Sequence, residues 1–198
     1  MRLAVALVLF LTLAGVALAA PASELPSAFE RPATAEDRLP SFLPLRPGEG
    51  RPYDSRLIAT HATWKWTWRV YVFKQARRAF RSERIVQNVC LFVVQNGDAG
   101  GGCSPAASFF GPGRQLAASA TGRALVGVAS DRVARIVVVG SRGVRHDVPL
   151  SADHGFFFNC RAYNGCACVV ARVQALDRAG RLITDQNWRS PARNCRQR

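Results

Sequence analysis

From Trp64 to Asp185 the chain breaks into short runs of β-branched and aromatic residues, and turns bearing glycine or asparagine separate many of them. That rhythm constrains the fold more than any other feature. Strand side chains alternate between two faces, so a short apolar run bounded by turn residues reads as a strand, whereas an amphipathic helix needs roughly ten or more residues of 3.6 period. The runs are WKWTWRVYVFK, IVQNVCLFVVQ (Ile85 to Gln95), ALVGVAS, ARIVVVGS, VRHDVPL, GFFFNC, CVVARVQAL and RLITD. Gly140 to Gly143, Tyr163-Asn164-Gly165 and DRAG supply turns, and Asn-Gly is among the strongest short hairpin signals. Seven or eight short antiparallel strands in an all-β sandwich or small barrel are predicted. Helix is limited to one or two turns, around SPAASFF and ARRAFRSER.

Ahead of the patterned region the composition changes twice. Arg2 precedes an unbroken apolar run from Leu3 to Val16, followed by Ala17-Leu18-Ala19. This is the layout of a secretory signal peptide over residues 1–19, with cleavage after Ala19 and a secreted mature chain. The run is short for a membrane span, which needs roughly 20 residues. Residues 20 to 52 then hold seven of the eleven prolines. Proline fixes φ and removes a donor, so 20–55 is expected to be a disordered tether leading to one β domain over 56–198.

All six cysteines lie beyond the tether: Cys90, Cys103, Cys160, Cys166, Cys168 and Cys195. An even count in an exported chain reads as a disulfide framework. Zinc would want two close pairs or cysteines joined by histidines, and here C-x-C stands alone, so no metal and no cofactor is expected. The preferred pairing is Cys90–Cys103, Cys160–Cys166 and Cys168–Cys195. Cys160–Cys168 with Cys166–Cys195 is nearly equivalent, because facing positions in a hairpin share a side of the sheet.

The segment GVASDRVARIVVVGSRGVRHDVPL followed by VQALDRAGRLI resembles uncharacterised exported proteins of actinobacteria and related high-GC bacteria. Similar endings occur in immunoglobulin-like bacterial surface domains. The resemblance spans Leu125 to Asp185 and implies an immunoglobulin-like β-sandwich and export. It carries over no catalytic residue.

The formal net charge is +14, and all but two of the 27 basic residues are arginine. Such a balance attracts polyanions: nucleic acid, anionic wall polymers or lipid head groups. Codon usage in a high-GC genome also favours arginine, and most arginines are scattered. One stretch is dense: Lys65, Arg69, Lys74, Arg77, Arg78, Arg81 and Arg84, opposed only by Glu83. Trp64, Trp66 and Trp68 overlap it and share a strand face with Val70 and Val72. That continuation favours a buried face; an exposed strip stacking on sugar rings is the alternative. Among the histidines, His146 and His154 sit beside Asp147 and Asp153, but neighbours on a strand point to opposite faces and make poor dyads. No nucleophile elbow, zinc-protease helix motif or phosphate loop is present. The sequence therefore predicts a non-catalytic exported module, extracellular or associated with the cell wall. The alternatives are a carbohydrate- or polyanion-binding module using Trp64, Trp66, Trp68, Lys65, Arg69, Arg77, Arg81 and Arg84, and a hydrolase using His146 and His154. An anionic cell-wall polymer or polysaccharide is the expected partner; nucleic acid is not.

Overall fold

The computed structural model describes residues 24–43, 49–78, 84–111, 113–120, 124–160 and 170–188. Among them are eleven strands, all paired antiparallel, and three short 3-10 turns. The chain is all-β, as the turn rhythm predicts. Strands β1 (Glu49–Ala62), β2 (Thr67–Arg78), β3 (Ile85–Gln95) and β4 (Asp98–Pro105) form a meander in sequence order. The other seven are β5 (Leu116–Ala120), β6 (Ala124–Ala129), β7 (Arg135–Gly140), β8 (Arg145–Val148), β9 (Gly155–Asn159), β10 (Val170–Leu176) and β11 (Leu182–Asn187). They divide into a three-stranded sheet, β5-β6-β9, and a four-stranded sheet, β11-β10-β7-β8. Strand β6 reaches past two strands to pair with β9, and β7 does the same to pair with β10. The chain thus passes back and forth between two sheets, in the strand order of an immunoglobulin-like sandwich.

Three layers result, and the pattern of β6 shows why. All six of its residues are buried. Ala124, Val126 and Val128 join Ile58, Trp68, Val70, Val72, Val89, Leu91 and Val93 of the meander in one core. Leu125 and Ala129 point the other way, into a second core with Ile136, Val138, Val148, Phe156 and Val173. A strand apolar on both faces belongs to a sheet covered on both sides. The β5-β6-β9 sheet is therefore the middle layer, between the meander and β11-β10-β7-β8.

Eleven strands exceed the seven or eight expected, and the surplus is β1, β4 and β5. Strand β1 hides its period behind Pro52 and three register shifts against β2. Strand β5, LAASA, is short and made of small residues. Strand β4 carries the run Gly100-Gly101-Gly102, which sequence alone reads as a flexible loop. Its ends are fixed instead. Asn96 and Gly97 both take positive φ, 44° and 90°, and form a two-residue hairpin turn that sets Gln95 opposite Asp98. Further along, Cys90 and Cys103 face each other directly and are disulfide-bonded. Strand β2 also differs from expectation: it starts at Thr67 rather than Trp64 and continues through Arg78 into the stretch read as helical. The 3-10 turn at Ala106–Ser108 matches the other expected helical turn.

The disordered tether expected over 20–55 is corrected for residues 24–43 and 49–55. Two 3-10 turns, Ser27–Phe29 and Ala35–Asp37, lie in the first segment, and β1 opens at Glu49. Ala28 is buried in the core beside Ile58. Arg31 donates to Asp37 at 2.7 and 2.8 Å and to Asp153 at 2.9 and 3.1 Å. The Leu57 N–H donates to Asp37 at 2.7 Å, and the Leu57 carbonyl accepts from Arg31 at 3.2 Å. The segment thus occupies hydrogen-bonding groups on the outer edge of β1, which would otherwise be open to pairing with another strand. The residues expected as signal peptide, 1–19, lie outside those described.

Candidate functional site

The sequence-derived binding residues fall into three settings. Trp68 is core: 2% exposed, and tilted against Phe157 at 5.3 Å and His61 at 5.7 Å. Trp66 is half-buried against the same cluster. Trp64 is 87% exposed. It sits in the β1–β2 turn, where the Thr63 N–H donates to the Trp66 carbonyl at 2.8 Å and the Trp66 N–H to Thr63 Oγ1 at 3.1 Å. The three indoles therefore form no single strip. The turn lifts Trp64 off the face that Trp68, Val70 and Val72 bury.

The basic stretch is also divided. Lys65 lies at the turn, its ammonium 4.1 Å from the Trp64 ring centre. Arg69 is near the start of β2 and Arg77 near its end, eight positions apart, or about 26 Å at strand rise. Arg84 is exposed beside the far end of β3, and Arg81 lies outside the described residues. Lys74 is held by Asp54 at 2.5 Å. A cluster in sequence becomes two separated ends of one hairpin.

At the Trp64 end there is a groove of about 440 Å³. Arg38, Pro40 and Phe42 of the N-terminal segment form one wall; Arg69 and Tyr71 of β2, with Asn96 of the β3–β4 turn, face them. Tyr71 is 2% exposed and Phe42 45%. Burial, the largest influence, pushes the Tyr71 hydroxyl above its ordinary range; the Arg69 charge and its hydrogen bond pull the other way, and the nearby charges of Asp37 and Glu36 add to the rise. No carboxylate lines the groove. Sequence reasoning missed its N-terminal wall by reading that segment as tether. A signal existed: Thr34-Ala35-Glu36-Asp37 has capping-box spacing, and Asp37 accepts from the Thr34 N–H at 2.6 Å and its hydroxyl at 3.0 Å.

A second groove, about 510 Å³, lies among Asp131, Arg132, Asp177, Arg178, Arg181 and Ile183. Its charges are largely partnered: Arg181 with Asp177 at 2.7 Å inside the groove, Arg132 with Glu24 at 2.6 Å beyond it, and Asp131 3.7 Å from the His154 ring. The first groove is the better candidate. No protein-family model, curated protein or solved structure matches the chain.

The histidines are set apart from the acids that flank them in sequence. His146 lies on β8 with its ring 5.4 Å from Phe158, while Asp147 faces Arg135 at 3.6 Å. His154 adopts φ 56° between β8 and β9, and Asp153 is taken by Arg31. Among the described residues no three His, Cys, Asp or Glu side chains gather as a metal site, and no helix is long and apolar enough to cross a membrane. Of the expected bridges, Cys90–Cys103 is present. Cys160 is also disulfide-bonded; the expected pairs Cys160–Cys166 and Cys168–Cys195 involve residues outside those described.

Proposed function

We propose that the protein is an exported, non-catalytic β module acting outside the cytosol, at or near the cell wall. The observation that carries this reading is the Cys90–Cys103 bridge, set between directly opposed positions of β3 and β4 with Cys90 fully buried. A structural disulfide of this kind belongs to an oxidising compartment. The bridged sulfurs lie near a neutral partner, Gln75 Oε1, at 3.5 and 3.6 Å. The apolar run ending in Ala17-Leu18-Ala19 supports export independently. Fractionating a high-GC bacterial host that expresses the full chain, then sequencing the N-terminus of the released protein, tests the reading. Ala20 is the expected first residue. A cytosolic chain retaining Met1 overturns the proposal.

A carbohydrate- or polyanion-binding role is the second reading. Exposed Trp64, with Lys65 against its ring at the same end of the meander as a groove that no carboxylate lines, favours it.

A further inference from the structure

We infer that the groove between the N-terminal segment and β2 binds an acidic glycan, a polymer of sugar rings bearing oxyanions, with Trp64 and Lys65 extending the site at its open end. The inference deepens the reading of a wall-associated module and rests on it for the choice of glycan over nucleic acid.

Charge makes the first part of the case. Six aspartates of the described chain are matched to basic side chains elsewhere: Asp37 and Asp153 to Arg31, Asp54 to Arg56 and Lys74, Asp147 to Arg135, Asp177 to Arg181 and Asp185 to Arg172. Arg38 and Arg69 have no such partner among the described residues, and they face one groove. A guanidinium offers paired donors that fit a carboxylate or a phosphate alike. Two of them in a groove that no carboxylate lines create a site for an oxyanion, reinforced by a chain of formal net charge +14.

Surface chemistry makes the second. The Phe42 ring is 45% exposed, and the apolar face of a sugar ring stacks on such a surface. Trp64 adds a wider exposed ring in the β1–β2 turn, three residues before Thr67, which itself lines the groove. The volume lies within the range of small-ligand sites, roughly 300–1,000 Å³. The wall carrying Arg38 and Phe42 follows directly on Asp37, whose bonds to Arg31 and Leu57 hold it against β1. The two sides are positioned before any ligand arrives.

The test is calorimetric titration of the purified mature protein at about 0.15 M salt, where diffuse attraction is screened within roughly 8 Å. The probes are an oligogalacturonate, a poly(glycerol phosphate), a neutral dextran of similar length and a deoxythymidine decamer. Binding to either anionic polymer, with dextran and DNA clearly weaker, supports the proposal; the tighter of the two identifies the oxyanion as carboxylate or phosphate. Arg38→Ala and Arg69→Ala should each weaken binding about tenfold, and Trp64→Ala should weaken it without changing the salt dependence. Arg178→Ala, which removes one exposed charge from the other groove, should leave affinity unchanged. Equal loss in Arg178→Ala reduces the effect to diffuse charge and overturns the site. Dextran bound as tightly as the uronate, DNA bound tightest, or no binding to either anionic polymer overturns the ligand class. Because the protein is purified, none of these results alters the outcome of the export experiment.

Discussion

Trp64 and Trp68 stand four positions apart in one aromatic run, yet one is 87% exposed and the other 2%. On a continuous strand they would share a face; the turn at Thr63–Trp66 separates them. Trp68→Ala should therefore cost about 3 to 5 kcal/mol, the range for emptying a large core site. Trp64→Ala should lie within about 0.5 kcal/mol of the parent. Urea unfolding of both variants measures the contrast, and similar losses in the two would contradict their placement. The alternation Trp68-Val70-Val72 was legible in sequence because burial on a strand repeats every second residue. The turn was not, since Thr63-Trp64-Lys65-Trp66 contains no glycine, proline or asparagine; Thr63 makes it by bonding the backbone of Trp66, three residues on, through both its N–H and its hydroxyl.

The N-terminal segment, which sequence failed to reveal, is held by contacts distant along the chain. Residues 24–43 look like a tether because proline dominates local composition, while the groups that fix them, Leu57 and Asp153, lie far along the chain. The hydrogen bond from Arg31, then those from Thr34 and Leu57, hold the Asp37 carboxyl well below the usual carboxylate range. A depressed carboxylate stabilises the fold fully above its unfolded pKa, about 3.9, and loses that contribution as pH falls toward the folded value. Asp37→Asn should thus be less stable by about 2 to 3 kcal/mol at pH 7. The gap to the parent should begin to narrow only below about pH 4. Denaturation midpoints between pH 7 and pH 3 provide the measurement; a constant gap would remove the ion pair as its source. Strand β6 offers a second check. At Gly127 an added Cβ would meet Phe156 Cε1 and Cζ at 2.1 Å and the Ala117 carbonyl oxygen at 2.7 Å. Gly127→Ala should destabilise by about 1 to 3 kcal/mol through overpacking, despite adding a single carbon.

For the molecule as a whole, the middle sheet makes the meander and the sandwich interdependent. Either one alone would leave an apolar face of β6 in water, Val126 and Val128 on one side or Leu125 and Ala129 on the other. Unfolding should be a single transition in which tryptophan fluorescence, dominated by Trp64, Trp66 and Trp68, coincides with far-ultraviolet circular dichroism; two separated transitions would divide the layers into independent units. Replacing Cys90 and Cys103 together with alanine should lower the stability of that transition by about 3 kcal/mol, the chain-entropy value for a loop of this size. Sandwich strands were largely legible because each is a clean apolar run, whereas the layering was not, since the double burial of β6 reads as an ordinary hydrophobic strand until its neighbours are known. The connectivity also sets an order in time. The meander joins only neighbours in sequence through short hairpins, while β6–β9 and β7–β10 must each close a loop across intervening strands. Loop-closure entropy makes such distant pairings slow. During synthesis from the N-terminus, the meander emerges first and assembles while the rest is still arriving. Its inner apolar surface is then the template on which the later strands condense.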